Sequence, residues 1–271
     1  MINLSVEPNS TQFSLKNTYA LALASKLAYE SEENIRIKLL QQGFKVVFIN
    51  KPDPHKADKD TQLFIAHSGS AVVIAFRGTE NIKDWLTNAG FDFQNTPNGK
   101  VHKGFDNALN SVWNQIVHTL KEVHQYGQPL WITGHSLGGA LAALTTARLV
   151  LDIDPDIYKS VHGLYTFGQP RVGDRTFVKT LDDEIKHRYF RFVNNNDIVP
   201  RVPVRLNQYQ HGGSMRFFDS TGILHDDIGY WFTFLERIEG SFEQKLDLMP
   251  SFIEHHAIDR HISNIEKNMN L

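Results

Sequence analysis

Residues 132–149 read ITGHSLGGALAALTTARL. An apolar run ends at Thr133 and a helical pattern starts at Leu137, so Ser136 falls in a strand-to-helix corner between His135 and two glycines. Gly134-His135-Ser136-Leu137-Gly138 fits the pattern G-x-S-x-G, which requires a strand before it and a helix after it. A serine in so tight a turn takes strained backbone angles, and neighbours without side chains let strand and helix approach. The helix that follows directs free N–H groups and the positive end of its dipole toward the serine, favouring negative charge there. A helix-capping serine followed by glycines for close packing explains these five residues equally well. The rest of the chain has to decide.

Outward from that corner the elements alternate. Ala20, Leu23, Ala24, Leu27 and Ala28 recur at helical spacing within residues 17–30, and FKVVFIN (44–50) and LFIAHSGSAVVIAF (63–76) read as strands, the latter two joined at SGS. AVVIAF is apolar enough for burial on both faces. Phe105, Leu109, Val112, Trp113, Ile116, Leu120 and Val123 form a helical stripe ending before Gly127 and Pro129. LWIT (130–133), a helix over 137–151, VHGLYTF (161–167) and HRYFRFV (187–193) follow. This order predicts an α/β fold with a mostly parallel sheet and helices on both faces. No repeat, low-complexity stretch or linker interrupts it, and 271 residues with 41% apolar content suffice for one large core. Residues 1–271 are therefore expected to form a single domain.

Composition narrows the function. A net charge of −2 gives no electrostatic reason to expect nucleic acid or an anionic membrane surface as partner. With no cysteine, disulfides and thiolate zinc sites are excluded. No basic start followed by an apolar stretch marks a Sec-type signal, and no apolar run approaches the roughly 18 residues of a membrane span. The expectation is a soluble protein, cytoplasmic or exported without such a signal, and a monomer.

Ligand sites in such sheets lie beyond the carboxyl ends of the strands. A serine nucleophile there needs a base, and the base needs a carboxylate to fix its tautomer. Asp197, in NNNDIVPRVP, follows a strand; its bland role is an Asx-turn, and Asp152, Asp154 and Asp156 are its rivals. Downstream of it, His211, His225, His255, His256 and His261 all satisfy the order Ser, Asp, His, and pattern alone does not choose among them.

Taken together, ALASKLAYE, AFRGT, DWLTN, VHKGF, ITGHSLGGALA, TFGQPRVG, RFVNNNDIVPRVP and HHAIDRHI occur in an order that resembles the class 3 lipases, α/β-hydrolases including the fungal triacylglycerol lipases. The resemblance covers most of the chain and points to a bacterial-type member. It implies Ser136 as nucleophile, Asp197 as the orienting acid and His256 as the base, the last from a C-terminal segment resembling D-H-S-M-x-x-Y. His255 stands where that segment usually has an acid, and His261 where an aromatic is common. His225, in GILHDD, is the reserve base; His211 resembles a histidine with a structural role near the site. The oxyanion donors are expected at the backbone N–H of Leu137 and, by resemblance, at Thr79 of AFRGT. Arg77 reads as structural.

Ile82, Trp85, Leu86 and Ala89 fall on one face of a short amphipathic helix stopped by Gly90. By resemblance, residues 80–90 correspond to a lid, with Ile82, Trp85 and Leu86 toward the substrate; a surface helix packed permanently on the core has the same pattern. Tyr230, Trp231, Phe234, Leu235 and Ile238 read as a core-facing helix. DIDPDIY (152–158) lacks the glycine and distal glutamate of an EF-hand, and HHAIDRH does not match H-E-x-x-H, so no metal and no cofactor is expected. The implied activity is hydrolysis of a lipid ester, most simply an acylglycerol at a lipid–water interface, through an acyl-enzyme. A phospholipase A-type or galactolipase acyl hydrolase would use the same residues, and a non-catalytic interaction module would keep only the fold.

Overall fold

A computed structural model describes residues 4–7, 10–51, 61–79, 81–88, 90–151, 159–203, 208–226 and 249–270. In chain order these form helices α1 (Leu15–Leu27) and α2 (Glu32–Leu40), strands β1 (Lys45–Lys51), β2 (Thr61–His67) and β3 (Val72–Phe76), and helix α3 (Ile82–Asn88). The hairpin β4 (Phe93–Thr96) and β5 (Gly99–His102) leads to α4 (Lys103–Val123), β6 (Leu130–His135) and α5 (Leu137–Leu151). Then come β7 (Val161–Phe167), α6 (Arg175–Ile185), β8 (Tyr189–Asn194), β9 (Ser214–Phe218), β10 (Leu224–His225), α7 (Met249–His256) and α8 (Ile258–Met269).

Eight strands form one sheet in the order β1-β2-β3-β6-β7-β8-β9-β10. From β3 to β9 every neighbour is parallel, while β1-β2, β2-β3 and β9-β10 are antiparallel. The alternation of strand side chains divides the core in two. Val72, Ile74 and Phe76 of β3 face a cluster built with α4, α5 and α6, and Val73 and Ala75 face another built with α1, α2 and α8. All five residues of β3 are buried, as the apolar run predicts.

Several boundaries differ from the sequence reading. α1 starts at Leu15 because the Ser14 side chain caps it, accepting the Asn17 N–H, and it ends at Leu27. The strand expected over 187–193 runs from Tyr189 to Asn194, since residues 186–188 form a 3-10 turn. α2, β4, β5, α6, β9, β10, α7 and α8 come in addition to the expected elements. The acidic segment DIDPDIY and the aromatic segment from Tyr230 to Ile238 lie outside the described residues, and so do Asp152, Asp154, Asp156 and Ala89. Among the described residues no helix is long and apolar enough to cross a membrane.

Candidate active site

Strand β6 and helix α5 meet at Ser136, the sole residue between them, whose φ of 58° is one a non-glycine residue rarely adopts. The glycines of the motif are there for space. A Cβ on Gly134 would collide with the Gly138 carbonyl, and one on Gly138 with the Phe76 carbonyl at the end of β3. Gly78, just after β3, brings the next loop against the same corner: a Cβ there would meet Tyr29 Oη, the His135 carbonyl and Ser136 Cβ. Ser136 is buried, its N–H bonds the Phe167 carbonyl at 2.9 Å, and its Oγ holds no hydrogen bond among the described residues.

His256, the last residue of α7, turns Nδ1 to Asp197, 3.0 Å from Oδ1 and 2.9 Å from Oδ2. Both residues are buried. Nδ1 therefore carries the proton, and Nε2, buried and without a hydrogen-bond partner among the described residues, presents its lone pair. Burial would raise the Asp197 carboxyl, but the charge and hydrogen bond of His256, with His261 beyond, outweigh it and hold the carboxyl well below the usual carboxylate range. Asp197 Oδ1 also accepts the Val199 N–H at 3.0 Å.

The backbone that carries His256 is itself fastened. His135 Nε2 lies 2.7 Å from the His256 carbonyl, which can only accept, so Nε2 bears the proton and Nδ1 accepts from Tyr29 Oη at 2.9 Å. Burial, with His256 and His261 alongside, pushes His135 far below the ordinary histidine value and keeps it neutral. Asn194 Nδ2 donates to the His255 carbonyl at 2.8 Å and is held in turn by Asn264. Gly168, at φ +59°, lets the chain pass under the pair: a Cβ there would lie 2.6 Å from His256 Cε1 and 2.8 Å from Asp197 Oδ2.

The other candidates separate clearly. His225 is not at this site: it sits on β10 with Nε2 2.8 Å from Asp219, in the hairpin that β9 and β10 form. His211 Nε2 lies 2.6 Å from the Pro200 carbonyl and so braces the segment after Asp197. Arg77 donates to Gln62 Oε1 at 2.6 Å and lies over the Tyr29 ring, a structural setting. Thr79 follows Gly78 in the loop beside Ser136, and its Oγ1 accepts the Asn81 N–H at 3.2 Å. Leu137 is the first residue of α5, where a helix leaves N–H groups without an internal acceptor. Ile82 of α3 packs with Ile198 and Val199, which follow Asp197, with Ile253, which precedes His256, and with Leu86 of its own helix, and Trp85 stacks on Phe105.

Tyr29, Asn194, Asn264 and Gly168 escaped the sequence reading. Gly168 alone had a local signal, a glycine directly after a buried strand.

The sheet order, the strained serine between β6 and α5, and the buried histidine–aspartate pair define an α/β-hydrolase fold carrying a Ser, His and Asp set. The family described as lipase (class 3) matches residues 73–207. Triacylglycerol lipase OBL1 of Arabidopsis thaliana is 33% identical over 250 residues, covering 73% of this chain and 48% of its own length. The lipase of Rhizomucor miehei is 36% identical over 169 residues, covering 57% and 44%. The solved structure of the Rhizomucor miehei triacylglyceride lipase superposes with a TM-score of 0.62 at 27% identity, covering 74% of this chain and 78% of that one. A second structure, of a triacylglycerol lipase whose catalytic centre is a serine protease triad, gives 0.57 at 27% identity, covering 74% and 75%. The chain belongs to the class 3 lipase family. It spans about half the length of the curated relatives named here.

Proposed function

We propose that this chain hydrolyses carboxylic esters of lipids, acylglycerols first among them, by acyl transfer through Ser136 to water. His256 Nε2 takes the Ser136 proton as Oγ attacks the ester carbonyl, and the N–H groups of Leu137 and Thr79 receive the oxyanion. His256 then protonates the leaving alcohol, Asp197 stabilising the imidazolium, and a water molecule repeats the sequence to release the fatty acid. The observation that carries the reading is the pair of buried atoms that hold no hydrogen bond among the described residues, Ser136 Oγ and His256 Nε2, with the backbone of the base fastened by His135 and Asn194. Relatives that bear the name triacylglycerol lipase support the substrate class.

The domain works as one α/β-hydrolase unit, and α3 is its cap. Ile82, Trp85 and Leu86 rest on residues beside Asp197 and His256, so moving this helix would expose an apolar surface next to the reacting groups. A bacterial-type affiliation, drawn from the segment His255–His261, belongs to the same proposal.

The test is hydrolysis of chromogenic esters of short and long acyl chain, below and above their aggregation point, beside phospholipid and galactolipid substrates. The wild type should turn over long-chain esters, faster above aggregation if α3 lifts, and Ser136→Ala should lose at least about 10⁴-fold. A wild type inert on every ester would leave the fold as a binding module.

A further inference from the structure

Helix α8 opens two residues after His256, and its first turn carries His261, which has no part in the steps above. His261 is fully buried. Its ring meets Phe167, Phe218 and His135 edge-on at 5.8, 6.3 and 6.2 Å between centroids. Neither ring nitrogen holds a hydrogen bond among the described residues. For packing alone a hydrocarbon ring would serve better, since a buried N–H without an acceptor is costly.

An acceptor lies close by. His261 Nε2 lies 3.9 Å from Asp197 Oδ2, beyond hydrogen-bond distance by under an ångström. On Asp197, Oδ1 already serves the Val199 N–H, while Oδ2 serves His256 Nδ1 alone among the described residues. A carboxylate oxygen has room for two donors. Among the described residues, a donor without an acceptor thus faces an acceptor with a free lone pair, both buried.

We propose that His261 is a positioning residue for ester hydrolysis: its Nε2–H closes onto Asp197 Oδ2, so that two imidazoles share the carboxylate that orients the base. The proposal rests on the ester-hydrolase reading. The titratable groups facing this cluster are His256 from α7, Asp197 after β8 and His135 from the end of β6, while β7 and β9 present Phe167 and Phe218. On the α1 side, Lys26 and Tyr19 engage Asp259 and Glu266 instead, and Tyr29 engages His135. A carboxylate held by the Val199 N–H on one oxygen and by His261 on the other cannot swing, so it keeps the His256 ring in the orientation that proton transfer needs.

The experiment uses the full chain with His261→Phe, which keeps the ring and removes the donor, and His261→Gln, which restores an N–H. Expected for His261→Phe is a kcat lower by about tenfold at unchanged KM, with most of it recovered in His261→Gln. A His261→Phe kcat equal to that of the wild type, or one that His261→Gln does not recover, overturns the proposal. A second measurement needs neither turnover nor a substitution at this position: nitrogen NMR of histidine-labelled wild type and Ser136→Ala. It should show His261 as the Nε2–H tautomer with a downfield, slowly exchanging proton; the Nδ1–H tautomer overturns the proposal even if the protein proves to be no esterase.

Discussion

Two histidine–aspartate pairs in this chain have nearly the same length, 2.9 Å from His256 Nδ1 to Asp197 Oδ2 and 2.8 Å from His225 Nε2 to Asp219 Oδ2. Their surroundings differ. Side-chain exposure is 5% and 0% in the first pair and 34% and 17% in the second. Asp197 orients His256 and is itself held by the Val199 N–H, while the backbone of His256 is tied by His135 and that of His255 by Asn194. Asp219 instead organises its own turn: Oδ1 accepts the N–H groups of Thr221 and Ile223 and the Thr221 hydroxyl. Both carboxyls are held below the usual carboxylate range against the opposing effect of burial, each helped by its histidine. A depressed carboxyl is thus shared by a catalytic candidate and a turn. What separates them is how deeply the pair is buried and how firmly the ring is held.

The sharpest way to break the comparison is to neutralise each acid in turn. Asp197→Asn keeps the shape but removes the charge that stabilises the imidazolium and favours the wrong histidine tautomer, so kcat should fall about 10⁴-fold with the fold intact. Loss of a mere factor of ten would remove Asp197 from the acid role. A smaller effect, about 10²-fold, is expected from Gly168→Ala. The new methyl would stand 2.6 Å from His256 Cε1 at a backbone φ of +59°, and displacing the pair by about an ångström costs that much. Wild-type kcat in this variant would mean that the pair tolerates displacement.

The strand-and-helix order was legible because β3, β6, β7 and α5 are nearly continuous apolar runs bounded by glycines. β9 was missed because SMRFF is short and half polar. α2 was missed because Ile35 and Leu39 are buried while Ile37 and Leu40 are exposed, so its apolar residues mark no single helical face. α6 was legible and overlooked: Asp174 caps it, and Phe177, Val178, Leu181 and Ile185 make its buried stripe. At the site, G-x-S-x-G located Ser136 and a strand end located Asp197. His256 required the family resemblance, since five histidines satisfied the order and spacing does not tell a buried partner of Asp197 from a hairpin partner of Asp219. The clamps on His256 carry no local pattern because Tyr29, Asn194 and Asn264 are joined only by the fold.

Acid should act on the buried histidines before it acts on either carboxylate. His102 caps α4, its Nδ1 accepting the N–H groups of Gly104 and Phe105 at 3.1 and 3.3 Å, so the cap needs an unprotonated nitrogen. Burial lowers its pKa to about 4, only partly opposed by nearby backbone hydrogen bonds and Asp92. The unfolded chain takes up this proton first, so the contribution is complete above the unfolded value of about 6.5 and is lost as pH falls from there toward 4, on the order of 3 kcal/mol in all. Burial displaces His135 and His261 in the same direction. The depressed carboxyls act later, their stabilisation disappearing only below the ordinary carboxylate range. Denaturant unfolding from pH 7 to pH 4 should therefore lose stability steadily, and His102→Asn, which keeps an acceptor for the cap without titrating, should flatten the slope. An equal slope in both proteins would remove His102 from the account.

The smallest effect is the one that tests the comparison most directly. His225→Ala removes an imidazole at hydrogen-bond distance from an aspartate, as His256→Ala does, so a reading based on pairing alone predicts comparable damage. The environments predict otherwise. His225 is a third exposed, and its partner keeps three donors of its own turn, so the loss should be about 1 kcal/mol or less of stability, with kcat within about twofold of wild type. A thermal melt and an ester assay on the same preparation measure both quantities. A large loss of activity without a loss of stability would make His225 a working base and move the site toward the β9–β10 hairpin. Unchanged turnover would leave burial and the fixed backbone of His256 as what distinguishes an aspartate that orients a base from one that closes a turn.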